Sequence, residues 1–174
     1  MEPALASPIR VVIAEDQAMV LGALAALLDM EGDISVIAQV RNGTDALRAV
    51  EEQRPDLLIT DIEMPGMSGI DLAAAVRLRS RTKVIIVTTF ARPGYLRRAI
   101  DAGAMGYLLK DSPARELASA VRRVQHGQRV IDSELVAEAV AEPDPLTDRE
   151  RQVLRLAADG ATSQDIANTL GLSE

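Results

Sequence analysis

Five short aliphatic runs, at residues 9–14, 34–40, 57–60, 83–88 and 105–109, alternate with segments of helical pattern, and nothing else restricts the fold so strongly. Runs rich in Val, Ile and Leu at this length read as strands buried on both faces. Strands interleaved with helices read as βαβ units of a parallel sheet. Helix candidates lie at about 17–30, 43–53, 69–80, 93–102 and 113–126. Asn42 caps the second, Ser68-Gly69 opens the third, and Ser112-Pro113 reads as an N-cap followed by Pro at the first helical position. Gly103 and Gly127 stand where helices should stop. The expectation is a doubly wound, three-layer α/β domain on a five-stranded parallel sheet.

The ends of these runs carry the chemistry. Glu15-Asp16 closes the first, Asp61 the third and Thr88 the fourth, and Lys110 follows the fifth. In an open parallel sheet the C-terminal strand ends lie side by side and hold the site. One acid after a strand is as often a solvated loop residue or a cap, and Asp16 before Gln17 fits a cap. Three acids at adjacent strand ends repel one another unless a cation is bound. Oxygen-only ligands without His or Cys point to Mg²⁺. Lys110 and the hydroxyl of Thr88 (or of its neighbour Thr89) suit a phosphoryl group. Gly66 and Gly69 read as structural glycines, and no Gly-Lys-Ser/Thr phosphate loop is present.

Composition narrows the class further. The chain has 174 residues, no Cys, no Trp and a net charge of −7. That excludes disulfides, thiol nucleophiles and Cys-based zinc sites. No window is an unbroken apolar stretch of membrane length, and the N-terminus lacks a signal pattern, so a soluble, cytoplasmic protein without membrane contact is expected. Residues 145–174 hold Arg149, Arg151 and Arg155 against five acids, so no basic module advertises nucleic-acid binding. Arg97-Arg98, Arg122-Arg123 and His126 read as solvated helix positions.

After Gly127 the pattern weakens. Residues 132–141 allow a short helix, and Glu142-Pro143-Asp144-Pro145 reads as a linker. Thr147-Asp148-Arg149-Glu150 has the form of a capping box ahead of Val153, Leu154 and Leu156. A further helix starts at Ser163, and Gly171-Leu172-Ser173 forms a turn.

The set of Glu15-Asp16, Asp61, Thr88, Tyr107 and Lys110 resembles the receiver domain of two-component response regulators, over residues 9–126. Pro145 to Glu150, with Gly160, Ile166-Ala167 and Leu170 to Ser173, looks like the start of a LuxR-type helix-turn-helix. Together they indicate the NarL/FixJ class. Thr88 to Tyr95 and Asp61 to Pro65 look most like DesR-type regulators of membrane-lipid desaturation. The resemblance implies a flavodoxin-like, CheY-like receiver at 1–127, a linker at 128–145 and an incomplete all-α DNA-binding domain at 146–174. It implies that Asp61 accepts a phosphoryl group from a sensor histidine kinase. Asp16 is then a direct Mg²⁺ ligand, Glu15 acts through water, and the Glu63 backbone carbonyl completes the set. Lys110 and Thr88 are the phosphoryl-oxygen ligands, and Tyr107 is the ring that reorients as Thr88 moves.

The third helix of such a DNA-binding domain enters the major groove. The sequence ends where that helix should begin, so DNA binding is expected of an intact protein and not of these 174 residues. Two other readings stay open: a stand-alone receiver working by protein–protein contact, and a haloacid-dehalogenase-like Mg²⁺ phosphatase. The latter normally has a second Asp two residues after its nucleophile, where this chain has Glu63. It also places its nucleophile after the first strand, and Asp61 follows the third. Finally, the first helix is apolar nearly all round. Leu21, Leu24 and Leu28, with Leu117 and Val121 of the fifth helix, suggest a face for homodimerisation on phosphorylation, and the helix-four surface around Tyr107 is the alternative.

Overall fold

The computed structural model of the chain describes residues 7–89, 92, 94–141 and a few positions between 152 and 169. The strands are β1 (Ile9–Ala14), β2 (Ile34–Val40), β3 (Leu57–Asp61), β4 (Lys83–Thr88), β5 (Gly106–Leu109) and β6 (Val130–Ile131). The helices are α1 (Ala18–Asp29), α2 (Gly43–Gln53), α3 (Gly69–Arg79), α4 (Tyr95–Asp101), α5 (Ala114–Gln125) and α6 (Ser133–Ala141). All strand pairs are parallel, in the order β2-β1-β3-β4-β5-β6. Residues 1–141 form one compact unit and 142–174 another. The proline-rich linker, the capping box and the last turn lie outside the described residues.

Strand periodicity sorts the core into two layers. Successive side chains of a strand point to opposite faces. Val11, Ile13, Leu57, Ile59, Ile85, Val87 and Leu108 therefore pack with Leu21, Ala25 and Leu28 of α1 and with Leu117, Val121 and Val124 of α5. Their neighbours Val12, Ala14, Leu58, Val84, Ile86 and Tyr107 pack with α2, α3, Ala99 of α4 and Leu135 of α6. Runs with aliphatic centres and polar residues only at or near their ends suit this arrangement because both faces are covered.

Three expectations are corrected. The sheet has six strands, not five: Val130 and Ile131 pair with Gly106 and Tyr107. A two-residue strand is too short to show a period. The cap of α5 is Pro113, with no side-chain bond, because the Ser112 hydroxyl donates to Asp132 instead. Leu21, Leu28, Leu117 and Val121 are not spare surface, since all four are buried against the sheet. An amphipathic face needs only one stripe of leucines, and here that stripe is the inner one. The large exposed apolar side chains of α1 are Met19 and Leu27, with Met30 just beyond its end.

Other local signals hold. Asn42 and Ser68 accept hydrogen bonds from the amides of Asp45 and Asp71 at the starts of α2 and α3. Gly66, Gly103 and Gly127 adopt positive φ. Gly69 serves a different need: a Cβ there would lie 1.9 Å from the Asp61 carbonyl oxygen, so only glycine lets α3 start against the end of β3. No described helix is long and apolar enough to cross a membrane.

Candidate functional site

Parallel pairing sets four strand ends in a row. Ala14 lies opposite Thr60, Asp61 opposite Val87, and Thr88 opposite Leu109. Glu15, Asp61, Thr88 and Lys110 thus come from neighbouring strands although the sequence spreads them widely. Asp16 joins them from the loop after β1. One carboxylate oxygen from each of Glu15, Asp16 and Asp61 lies within 4.8 Å of the others.

Lys110 ties this group together. Its Nζ lies 2.6 Å from Glu15 Oε2 and 2.9 Å from Asp61 Oδ2. Glu15 Oε1 accepts from the Gln17 amide, and Asp61 Oδ1 accepts from the Ile62 amide at 2.7 Å. Thr60 Oγ1 donates to the Asp61 carbonyl, and the Lys110 amide donates to the Thr88 carbonyl at 2.8 Å. Asp16 is half-buried, and its backbone carbonyl accepts two bonds from the Arg41 guanidinium. It does not cap α1, whose N-cap is Gln17. Glu63 stands on the exposed loop after β3, with its side chain paired to Arg92 at 2.7 Å.

The electrostatics of the pocket are unbalanced, with three carboxylates facing one ammonium. Burial raises the Glu15 carboxyl above its ordinary value, against the Lys110 and Gln17 hydrogen bonds that lower it, and the Asp61 charge adds to the rise. For Lys110 burial works downward, but its bonds to Glu15 and Asp61 outweigh it and hold the ammonium above its ordinary range. An acid whose folded pKa is raised costs nothing below its ordinary value of 4.5 and destabilises the fold increasingly as pH rises through the raised value. Glu15→Gln should therefore gain relative to the parent between pH 4 and pH 7 without divalent ions. The gain should appear as a Tm difference from the parent that is larger at pH 7 than at pH 4. Thermal melts at the two pH values check this, and an equal offset at both would contradict it.

The pocket's chemistry fits a hard divalent cation: oxygen donors only, an excess of negative charge, and one partly open ligand in Asp16. Thr88 is the last residue of β4 and is buried. Tyr107 lies on the same face of the sheet, in the core with Ala99, Ala104 and Leu135. Its hydroxyl is buried without a hydrogen-bond partner among the described residues. Burial pushes the Tyr107 hydroxyl far up, so it stays protonated.

Two features escaped sequence reasoning. Asp132, N-terminal to α6, bonds to the loop behind Lys110. Its place before Ser133-Glu134-Leu135 was a legible capping signal. Arg122, read as a solvated residue, pairs with Glu31 and Asp33 and so ties α5 to the α1–β2 turn. The Arg122 hydrogen bond pulls the Asp33 carboxyl below its ordinary value.

Residues 11–122 match the response regulator receiver domain, and residues 144–174 match the bacterial regulatory proteins of the luxR family. The chain is 49% identical over 164 residues to the transcriptional regulatory protein DesR of Bacillus subtilis, covering 94% of this chain and 82% of that protein. It is 51% identical over 167 residues to the uncharacterized transcriptional regulatory protein YvfU of the same organism, covering 95% and 84%. A solved structure of two RcsB dimers bound to two parallel DNAs aligns with a TM-score of 0.73 at 25% identity, over 96% of this chain and 85% of that one. The receiver match precedes the LuxR-type match along the chain, and the chain belongs to the two-component response regulators with a LuxR-type DNA-binding region.

Proposed function

We propose that Asp61 is the phosphoacceptor through which a sensor histidine kinase switches this regulator. The observation that carries the reading is the Lys110 ammonium held between Glu15 and Asp61 beside Asp16. An Asp61 carboxylate oxygen attacks phosphorus, the new P–O bond forms in line as the bond to the donor breaks, and the donor group leaves with that electron pair. Such a transfer needs positioning and charge neutralisation more than covalent help. Lys110 and Thr88 hold the phosphoryl oxygens. Glu15, Asp16, Asp61 and the Glu63 backbone carbonyl are the residues that would hold Mg²⁺, which supplies charge neutralisation when bound. The chain is a regulator, and this self-modification is its only chemistry.

Phosphorylation draws Thr88 toward Asp61 and lets Tyr107 reorient on the α4 face, biasing a two-state surface. The output is a homodimer, which with a complete DNA-binding domain places two such domains on a two-fold DNA site. Residues 1–127 form the receiver, 128–145 the connection and 146–174 the DNA-binding part, and β6 and α6 belong to the part of the connection packed against the receiver. The setting is cytoplasmic, where kinase and DNA are both reachable.

Intact-mass and peptide mass spectrometry after incubation with acetyl phosphate test the assignment. One phosphoryl group should appear, only with Mg²⁺ present, and only on Asp61. Undiminished phosphate on Asp61→Ala would remove the assignment.

A further inference from the structure

The Ser112 hydroxyl is withheld from the cap of α5 and given to Asp132. Ser112 Oγ donates to Asp132 Oδ2 at 3.0 Å. The other carboxylate oxygen, Oδ1, accepts from the Glu134 amide at 3.0 Å and so caps α6. The Asp132 amide donates to the Tyr107 carbonyl at 2.9 Å. One residue thereby holds the turn that follows Lys110, the strand that carries Tyr107, and the first turn of α6. Ser112 lies two residues past Lys110, and its amide closes a tight turn on the Leu109 carbonyl at 3.2 Å. The turn is thus fixed at its start by backbone bonds to β4 and β5 and at its far side by Asp132. A serine hydroxyl at a helix N-cap normally accepts from the helix amides, and the half-buried Ser112 hydroxyl bonds Asp132 instead.

We propose that Asp132 is a positioning residue for phosphoryl transfer: it holds Ser112 so that the turn aims the Lys110 ammonium at Asp61, and it passes the state of that turn to α6. This rests on the reading of Asp61 as phosphoacceptor. The coupling follows from shared atoms. A shift of Lys110 toward a phosphoryl oxygen moves the turn, the Ser112 hydroxyl and then the carboxylate that caps α6. Leu135, buried in the core with Tyr107, anchors the other side of that helix turn. Because the tether is a single network, its effects are reciprocal: loosening the α6 cap loosens Lys110.

The experiment follows phosphoryl uptake from acetyl phosphate by intact-mass time courses, with amide hydrogen exchange at Glu134 and Leu135 alongside. Ser112→Ala cuts only the loop tether and leaves the Glu134 cap in place. Asp132→Ala cuts both, and Asp132→Asn retains both, since its amide can donate to Ser112 Oγ while its oxygen accepts from Glu134. Ser112→Ala and Asp132→Ala should each slow uptake by about 3–10-fold, the worth of one modest hydrogen bond. Asp132→Asn should stay within about twofold of the parent on the same reasoning. The double variant should be no slower than Asp132→Ala, and Ser112→Ala should lose the phosphorylation-dependent change in exchange at Glu134. Parental uptake by Ser112→Ala, or single effects that multiply in the double variant, would overturn the proposal. Failure of the parent to label, or labelling that survives Asp61→Ala, would overturn the phosphoacceptor reading instead, so the two failures are told apart.

Discussion

Replacing Lys110 with methionine should both destabilise the domain and nearly stop its phosphorylation. The side chain is one atom shorter and loses its charge, so packing is largely preserved and electrostatics are not. Glu15 and Asp61 are buried, and Lys110 Nζ is the group that neutralises both, at 2.6 and 2.9 Å. Removing one member of a buried ion pair costs about 3–5 kcal/mol, because the remaining charge is left without a partner. Glu15 can relieve part of this by taking up a proton, as its raised pKa already favours. The lower figure is therefore expected at neutral pH, a fall in Tm of roughly 6–12 °C. The loss should shrink at pH 4, and Mg²⁺ should stabilise the variant more than it does the parent. Kinetically, deleting one preorganised donor to a developing anion costs on the order of 100-fold or more. Uptake of phosphate from acetyl phosphate, timed by mass spectrometry, reads this directly. A variant with parental Tm and parental uptake would mean that the ammonium holds neither the acids nor the phosphoryl oxygens.

The topology was legible because its signals are local and repeated. Residues 9–14, 34–40 and 83–88 form strands over the expected spans, and Asn42 and Ser68 cap the helices they precede. The juxtaposition of Glu15, Asp61, Thr88 and Lys110 was legible for a different reason. Parallel strand ends must lie side by side, so chemistry at the ends of separate runs converges without any motif in sequence. What stayed hidden depends on choices made between competing partners. Ser112 could cap α5 or bond to Asp132, and nothing near it in sequence decides between them; the decision comes from β6, which brings Asp132 alongside Tyr107. Leu21 and Met19 are both apolar and two positions apart. Only the direction in which α1 packs makes the first core and the second 89% exposed. A helix that is apolar all round does not tell from its sequence which stripe is turned inward.

That exposed stripe carries the assembly prediction. Met19, Ala23, Ala26 and Leu27, with Met30 just past the helix, recur at helical spacing on the outer face of α1, and the helix holds no charged residue before Asp29. A contiguous uncharged face of this kind marks a contact surface. The neighbouring α5 shows Arg115, Glu116, Ser119 and Arg123 to solvent, which suits the polar rim of such a contact. The α4 side is less available, because α6 packs there with Leu135 in the core. We therefore place the phosphorylation-strengthened, two-fold dimer of the proposed function on α1, flanked by α5. Leu27 is 40% exposed, so a glutamate there can reach water without disturbing the core. In a two-fold interface it brings two carboxylates onto an apolar contact. Leu27→Glu should weaken the phosphorylated dimer by about 10–100-fold, or roughly 1.4–2.8 kcal/mol, and leave Tm and phosphoryl uptake unchanged. Leu78→Glu, on α3 and more exposed than Leu27, should dimerise as the parent does, whereas Leu21→Glu would unfold the domain and report nothing about the face. Light scattering across a concentration series, with and without acetyl phosphate, separates these outcomes: a Leu27→Glu protein that dimerises like the parent removes α1 from the interface.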